Sequence, residues 1–124
     1  PRNASMAEEL DNVGFETRLE RVQEALRMEN QAWRDVAGAN NTKPPAEFLG
    51  PLSKDLLIDP VKAIDGIVYE RSCIKLYLRF HDTMPNKPSM PASDELESDS
   101  ELRQRIIEWR HNQVLAHWVD NPPK

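Results

Sequence analysis

One residue type constrains this chain more than any other: its 124 residues include a single cysteine, Cys73. An intramolecular disulfide is excluded, and no cysteine-built zinc site can be assembled. The histidines do not repair this. His111 and His117 sit poorly for one helix face, His81 is remote in sequence, and no carboxylate completes a ligand set at a recognised spacing. We therefore expect neither metal nor cofactor, and a reducing cytoplasmic compartment fits one cysteine. Apolar residues at 39% and charged residues at 30% describe an ordinary folded chain, long enough for one small domain with helical extensions. No stretch approaches the roughly 20 apolar residues a membrane-spanning helix needs. No apolar N-terminal segment resembles a signal peptide. The net charge is -5 and no dense Lys/Arg cluster occurs, so neither nucleic acid nor a membrane surface is an expected partner.

Residues 1–14 are expected to be disordered or a remnant; Pro1 to Ser5, ahead of Met6, have no pattern. From Phe15 a seam runs through Leu19, Val22, Leu26, Glu29, Trp33 and Val36, in steps alternating four and three. This predicts one amphipathic helix over 15–37, with Glu29 as the break in its heptads. Residues 38–47, with Gly38, Asn40, Asn41, Pro44 and Pro45, read as a linker. Asp65-Gly66 lies between two β-rich runs and predicts a hairpin with a tight primed turn. A helix follows, from Glu70 to Phe80, with Ile74, Tyr77 and Leu78 on one face. Pro85, Pro88 and Pro91 exclude a regular helix or central strand in the next segment. Asp99 or Ser100 can cap a last helix from about Glu101 to Val119. It carries two stripes: Leu102, Ile106 and Trp109, and Ile107, Val114 and Trp118. The central piece is small enough to be marginal alone. The flanking helices are expected to add core, led by Trp33, Trp109 and Trp118.

No self-contained catalytic centre is visible. The four glycines are spread singly, so there is no phosphate loop. Cys73 falls in the middle of the amphipathic helix, two turns from His81, and reads as a small core thiol rather than a nucleophile. If this chain promotes a reaction, it does so by positioning partners.

An ordered series of short motifs narrows the choice. Phe48-Leu49-Gly50-Pro51-Leu52, Asp59-Pro60-Val61, Asp65-Gly66, Tyr69-Glu70-Arg71-Ser72, Ile74 and Tyr77-Leu78 closely resemble the U-box family. Leu102-Arg103, Ile106-Ile107 and Trp109 match its closing helix. The resemblance covers 48–110, leaving 111–124 as an extension of the last helix and a tail. It implies an α+β fold: two cross-braced loops around a small hairpin and a central helix, here flanked by N-terminal and C-terminal helices. This is the zinc-free relative of the RING fold, with hydrogen bonds and ion pairs where RING domains hold metal. Asp55, Asp59, Glu70, Arg71 and Asp99 are the candidate braces.

The resemblance also implies ubiquitin ligation. Such a domain docks a ubiquitin-conjugating enzyme charged with ubiquitin and presents the conjugate to a lysine of a protein substrate. The thioester cysteine belongs to the conjugating enzyme, and the ligase supplies proximity. Carried over by position, the family's docking surface falls on Leu52, Lys54, Tyr77 and Pro85. The loop after Pro85 departs from the family: Ser89-Met90-Pro91 replaces a Pro-Leu pair, and the usual basic contact falls on Pro88, leaving Lys87 as the nearest cation. Asp99 stands where the family has asparagine. A ubiquitin ligase module is the leading reading. The alternative is a catalytically weak, U-box-like adaptor that binds a partner without stimulating transfer. The N-terminal helix can form a homodimer or fold back, the Ile107, Val114, Trp118 stripe being one place to land. Fold-back is slightly favoured, because three heptads with a Glu break make a weak isolated coiled coil. The chain can equally belong to a eukaryote or be a pathogen's effector acting in host cytosol, and it can be a fragment of a larger protein.

Overall fold

The computed structural model describes residues 14–120. The element order is α1 (Phe15–Glu29), α2 (Gln31–Ala39), a 3-10 turn (Ala46–Phe48), β1 (Pro60–Lys62), β2 (Val68–Glu70), α3 (Arg71–Phe80), β3 (Thr83–Met84), β4 (Lys87–Pro91), β5 (Glu97–Ser98) and α4 (Ser100–Asp120). The fold is α+β, as expected. One antiparallel sheet has the order β2-β1-β5, and β3 and β4 form a separate ribbon. The segments at 1–13 and 121–124, expected to be lead-in and tail, lie outside the described residues.

The helix expected over 15–37 is two helices, interrupted at Asn30. The buried seam runs Leu26, Asn30, Trp33, Ala37, so the polar position falls on Asn30 and Glu29 is exposed. Asn30 is fully buried, and its Nδ2 donates to the Leu56 carbonyl at 3.1 Å. A fixed carbonyl thus meets the donor of this buried amide, while its Oδ1 has no partner among the described residues, and the bond ties the helices to the loop below.

The fold-back also differs from the expected landing place. α2 packs on the first stripe of α4, not the second. Trp33 meets Trp109 edge to face at 5.4 Å, and Trp33, Ala37, Phe48, Leu56, Leu57, Leu102 and Ile106 form one core. Asn40 Nδ2 donates to the Gln113 carbonyl at 2.8 Å, fixing the far end of the contact. Trp118 and Ile107 stay 48% and 43% exposed, so Trp118 is not the core contributor anticipated. Of the seam offered for a homodimer, Leu26 and Trp33 are buried inside the chain.

A second core gathers Val61, Ala63, Tyr69, Ile74 and Met84 between the hairpin, α3 and β3. The hairpin turn is not the primed pair expected from Asp65-Gly66. Gly66 N donates to the Ala63 carbonyl at 3.0 Å, and Gly66 has φ +80° while Asp65 stays out of the left-handed region. Asp65 is instead drawn inward: its carboxylate accepts from Ile67 N at 3.0 Å and from the Tyr69 hydroxyl at 2.6 Å. The longer turn is what lets this buried side chain satisfy both donors. The proline segment forms a two-stranded ribbon, where every strand is an edge and Pro88 and Pro91 cost no interior ladder bond. Pro85-Asn86 makes its turn. Asn86 lies at φ +61°, the positive φ that a type II turn requires after proline.

Candidate docking site

The site is built by two loops and one helix. The first loop leaves the 3-10 turn through Gly50, whose N–H donates to the Asp55 carbonyl at 3.0 Å, while Lys54 N donates to the Gly50 carbonyl at 3.0 Å. A Cβ on Gly50 would lie 2.5 Å from Ser53 Oγ and 2.9 Å from a Leu57 methyl, so any other residue here would have to displace those buried side chains. The closed loop projects Leu52 from its apex, half-buried against the second core, and sends Lys54 to solvent at φ +56°. Tyr77, one turn beyond Ile74 on α3, also packs half-buried on that core. The structure thus brings Leu52 and Tyr77 to one cluster from positions 25 residues apart in the chain.

The second loop is less simple. Pro85 is buried and stands at the turn that shapes this loop. Lys87 and Pro88 are exposed on β4. Lys87 Nζ is engaged by the Asp65 carbonyl at 3.1 Å, which ties the ribbon to the hairpin.

All five candidate braces act as such. Glu70 is buried, and its carboxylate accepts from Ile58 N at 2.7 Å and Asp59 N at 3.0 Å. Burial raises the Glu70 carboxyl above the ordinary glutamate range, opposed by those two N–H donors. Arg71 pairs with Asp59 at 2.8 Å and also donates to Ser98 Oγ, joining loop, helix and β5. Asp55 pairs with Arg34 at 2.7 Å, and its other oxygen accepts from Leu56 N. Asp99 caps α4 by accepting from Leu102 N at 3.0 Å, while its own N–H donates to the Pro60 carbonyl. Asp65, buried against Tyr69, is a further brace that the motif series does not reveal. The Tyr69 hydroxyl is pushed far up by burial and by this partner.

Cys73 is fully buried, and its thiol is pushed up to about 11, first by burial and then by the charge of Glu70. A thiol so placed is a poor nucleophile at neutral pH. Among the described residues no group of three His, Cys, Asp or Glu side chains is arranged to hold a metal ion.

What sequence patterning does not anticipate is where α1 comes to rest. Its first residue, Phe15, meets Tyr77 edge to face at 5.5 Å and His81 at 4.8 Å, and lies 6.0 Å from Phe80. The His81 ring stacks on Tyr77 at 3.8 Å, and its Nδ1 is 2.9 Å from the Tyr77 carbonyl. Two turns along α1, Gln23 Nε2 donates to the Leu52 carbonyl at 2.8 Å. An open polar cleft of about 330 Å³ separates Glu20, Glu24 and Arg27 of α1 from Ser53, Lys54 and Asp55.

This geometry, two braced loops around a hairpin and a central helix, coincides with what comparison with known proteins finds. The profile of the U-box domain family matches residues 44–114. U-box domain-containing protein 35 of Arabidopsis thaliana is 34% identical over 70% of this chain and 10% of its own length. U-box domain-containing protein 12 of the same plant is 40% identical over 65% of the chain and 12% of its own. Ubiquitin conjugation factor E4 ufd-2 of Caenorhabditis elegans is 35% identical over 52% of the chain and 7% of its own. The chain therefore spans only about a tenth of the length of the curated relatives it matches. With the profile covering more than half of its residues, the chain belongs to the U-box family.

Proposed function

We propose that this chain is a ubiquitin ligase module that docks a ubiquitin-charged conjugating enzyme and promotes transfer of ubiquitin to lysines of a protein substrate. The observation that carries the reading is the convergence of half-buried Leu52 and Tyr77 on one core cluster at the mouth of two braced loops. Such a pair offers an apolar anchor and an amphipathic ring, the kind of centre on which interfaces depend. Lys54 supplies a polar rim, Pro85 the turn that presents the second loop, and Lys87 and Pro88 its outer edge. The chain itself provides no covalent step, since its one thiol is buried and its pKa raised; its contribution is orientation of a reactive conjugate. The reading sets the module in the cytoplasm, with no cofactor.

A second reading has one observation in its favour. Pro88 occupies the position of the family's basic contact, and the nearby Lys87 is held by the Asp65 carbonyl. On that reading the module recruits a conjugating enzyme and stimulates it weakly. The experiment is discharge of ubiquitin from a panel of charged conjugating enzymes by the parent and by Leu52→Ala. Losing an interface anchor costs about 2 kcal/mol or more, so docking should weaken over tenfold, with discharge falling alongside. Parent-rate discharge by a folded Leu52→Ala protein would sink the docking surface. Docking without discharge by the parent would favour the adaptor.

A further inference from the structure

We propose that α1 is a built-in cover over the docking face, and that the module binds its conjugating enzyme fully only when the first turns of α1 lift away. The inference rests on the docking reading above and adds a regulation to it. Both anchors are already in contact with α1. Phe15 stands edge-on against the Tyr77 ring, and Gln23 bonds the carbonyl of Leu52. An incoming helix or loop cannot take the place on that ring while Phe15 holds it.

The helix is also made to separate there. Leu26, near its end, is the buried residue of α1, while Phe15, Leu19 and Val22 are half-buried. Its N-cap is Gly14, which makes no side-chain capping bond, so the first turn lacks a common source of stability. α2, by contrast, is anchored in the first core through Trp33 and Ala37. The break at Asn30 lies between the two, and Asn30 is fastened to Leu56. The Phe15 end can thus open while Asn30, α2 and the core stay in place. Segments with few buried contacts are the ones that open locally at low cost. Closed and open forms then compete, and apparent affinity falls in proportion to the closed fraction.

The test uses the full chain as parent, Phe15→Ala, Gln23→Ala, and Phe15→Ala combined with Leu52→Ala. Each is melted, titrated with the panel of conjugating enzymes, and assayed for discharge. If α1 is closed nine-tenths of the time, freeing it raises apparent affinity about tenfold, with Gln23→Ala giving a smaller gain. The added Leu52→Ala should remove the gain. Gln23→Ala deletes one hydrogen bond, so it remains informative if Phe15→Ala melts early. Equal or weaker binding by both single variants, with the parent binding, overturns the cover and leaves the docking surface standing. No binding by any protein, Phe15→Ala included, overturns the docking reading and the cover with it.

Discussion

Glu70 is where a local change should reach furthest, because its one carboxylate closes the first loop against the hairpin and the start of α3. Glu70→Ala removes the acceptor for Ile58 N and Asp59 N. A buried donor left unmet costs about 1–3 kcal/mol. Both N–H groups belong to half-buried residues, so water recovers part of this and the low end applies to each. Relief of the cost of burying a charge offsets some of the loss, and the space left by the side chain adds to it. The sum is about 2 kcal/mol, or roughly 8–16 °C in Tm for a domain of this size. The assay is thermal melting of parent, Glu70→Ala and Glu70→Gln, the last retaining one acceptor and losing about half as much. A Glu70→Ala protein melting within about 3 °C of the parent would refute the brace. The raised carboxyl adds a pH signature. Folded Glu70 holds its proton to higher pH than unfolded Glu70, so its contribution is full below the ordinary glutamate range and is lost as pH rises through the raised value. The parent should therefore lose stability relative to Glu70→Gln on going from acid toward neutral pH. The opposite slope would mean that the two N–H bonds outweigh burial.

Three further outcomes are expected. Gly50→Ala should cost about 1–3 kcal/mol, because its Cβ collides with Ser53 and Leu57; unchanged melting would show that the first loop opens freely. With its thiol at about 11, Cys73 is about one part in a thousand thiolate at pH 8, so a thiol reagent should label it only on unfolding. Rapid labelling of the folded protein would contradict its burial. Metal chelators should leave Tm unchanged, since the loops are closed by Glu70, Asp59, Arg71, Asp55 and Arg34 rather than by ligands to an ion; zinc that survives dialysis in stoichiometric amount would overturn this.

The features legible in the sequence are those that short-range chemistry decides. The central helix, the position of the hairpin, the Asp99 cap and the proline punctuation each depend on residues a few positions apart. The ordered motif series adds Leu52 and Tyr77 as a pair. Tertiary structure decided what those local signals leave degenerate. α4 carries two apolar stripes of similar character, and only the fit of Trp33 against Trp109 and the Asn40–Gln113 bond select the first. The seam reads as broken at Glu29; the polar position is Asn30, whose amide donor finds the Leu56 carbonyl 26 residues away. β5 is two residues long, invisible to any periodicity, and exists because Pro60–Lys62 has a second edge to fill. The cover of α1 over Tyr77 belongs to the same class. Aromatic contacts and hydrogen bonds between distant segments depend on where backbones come to rest, and periodicity along one segment reports which face is apolar, not what that face will meet.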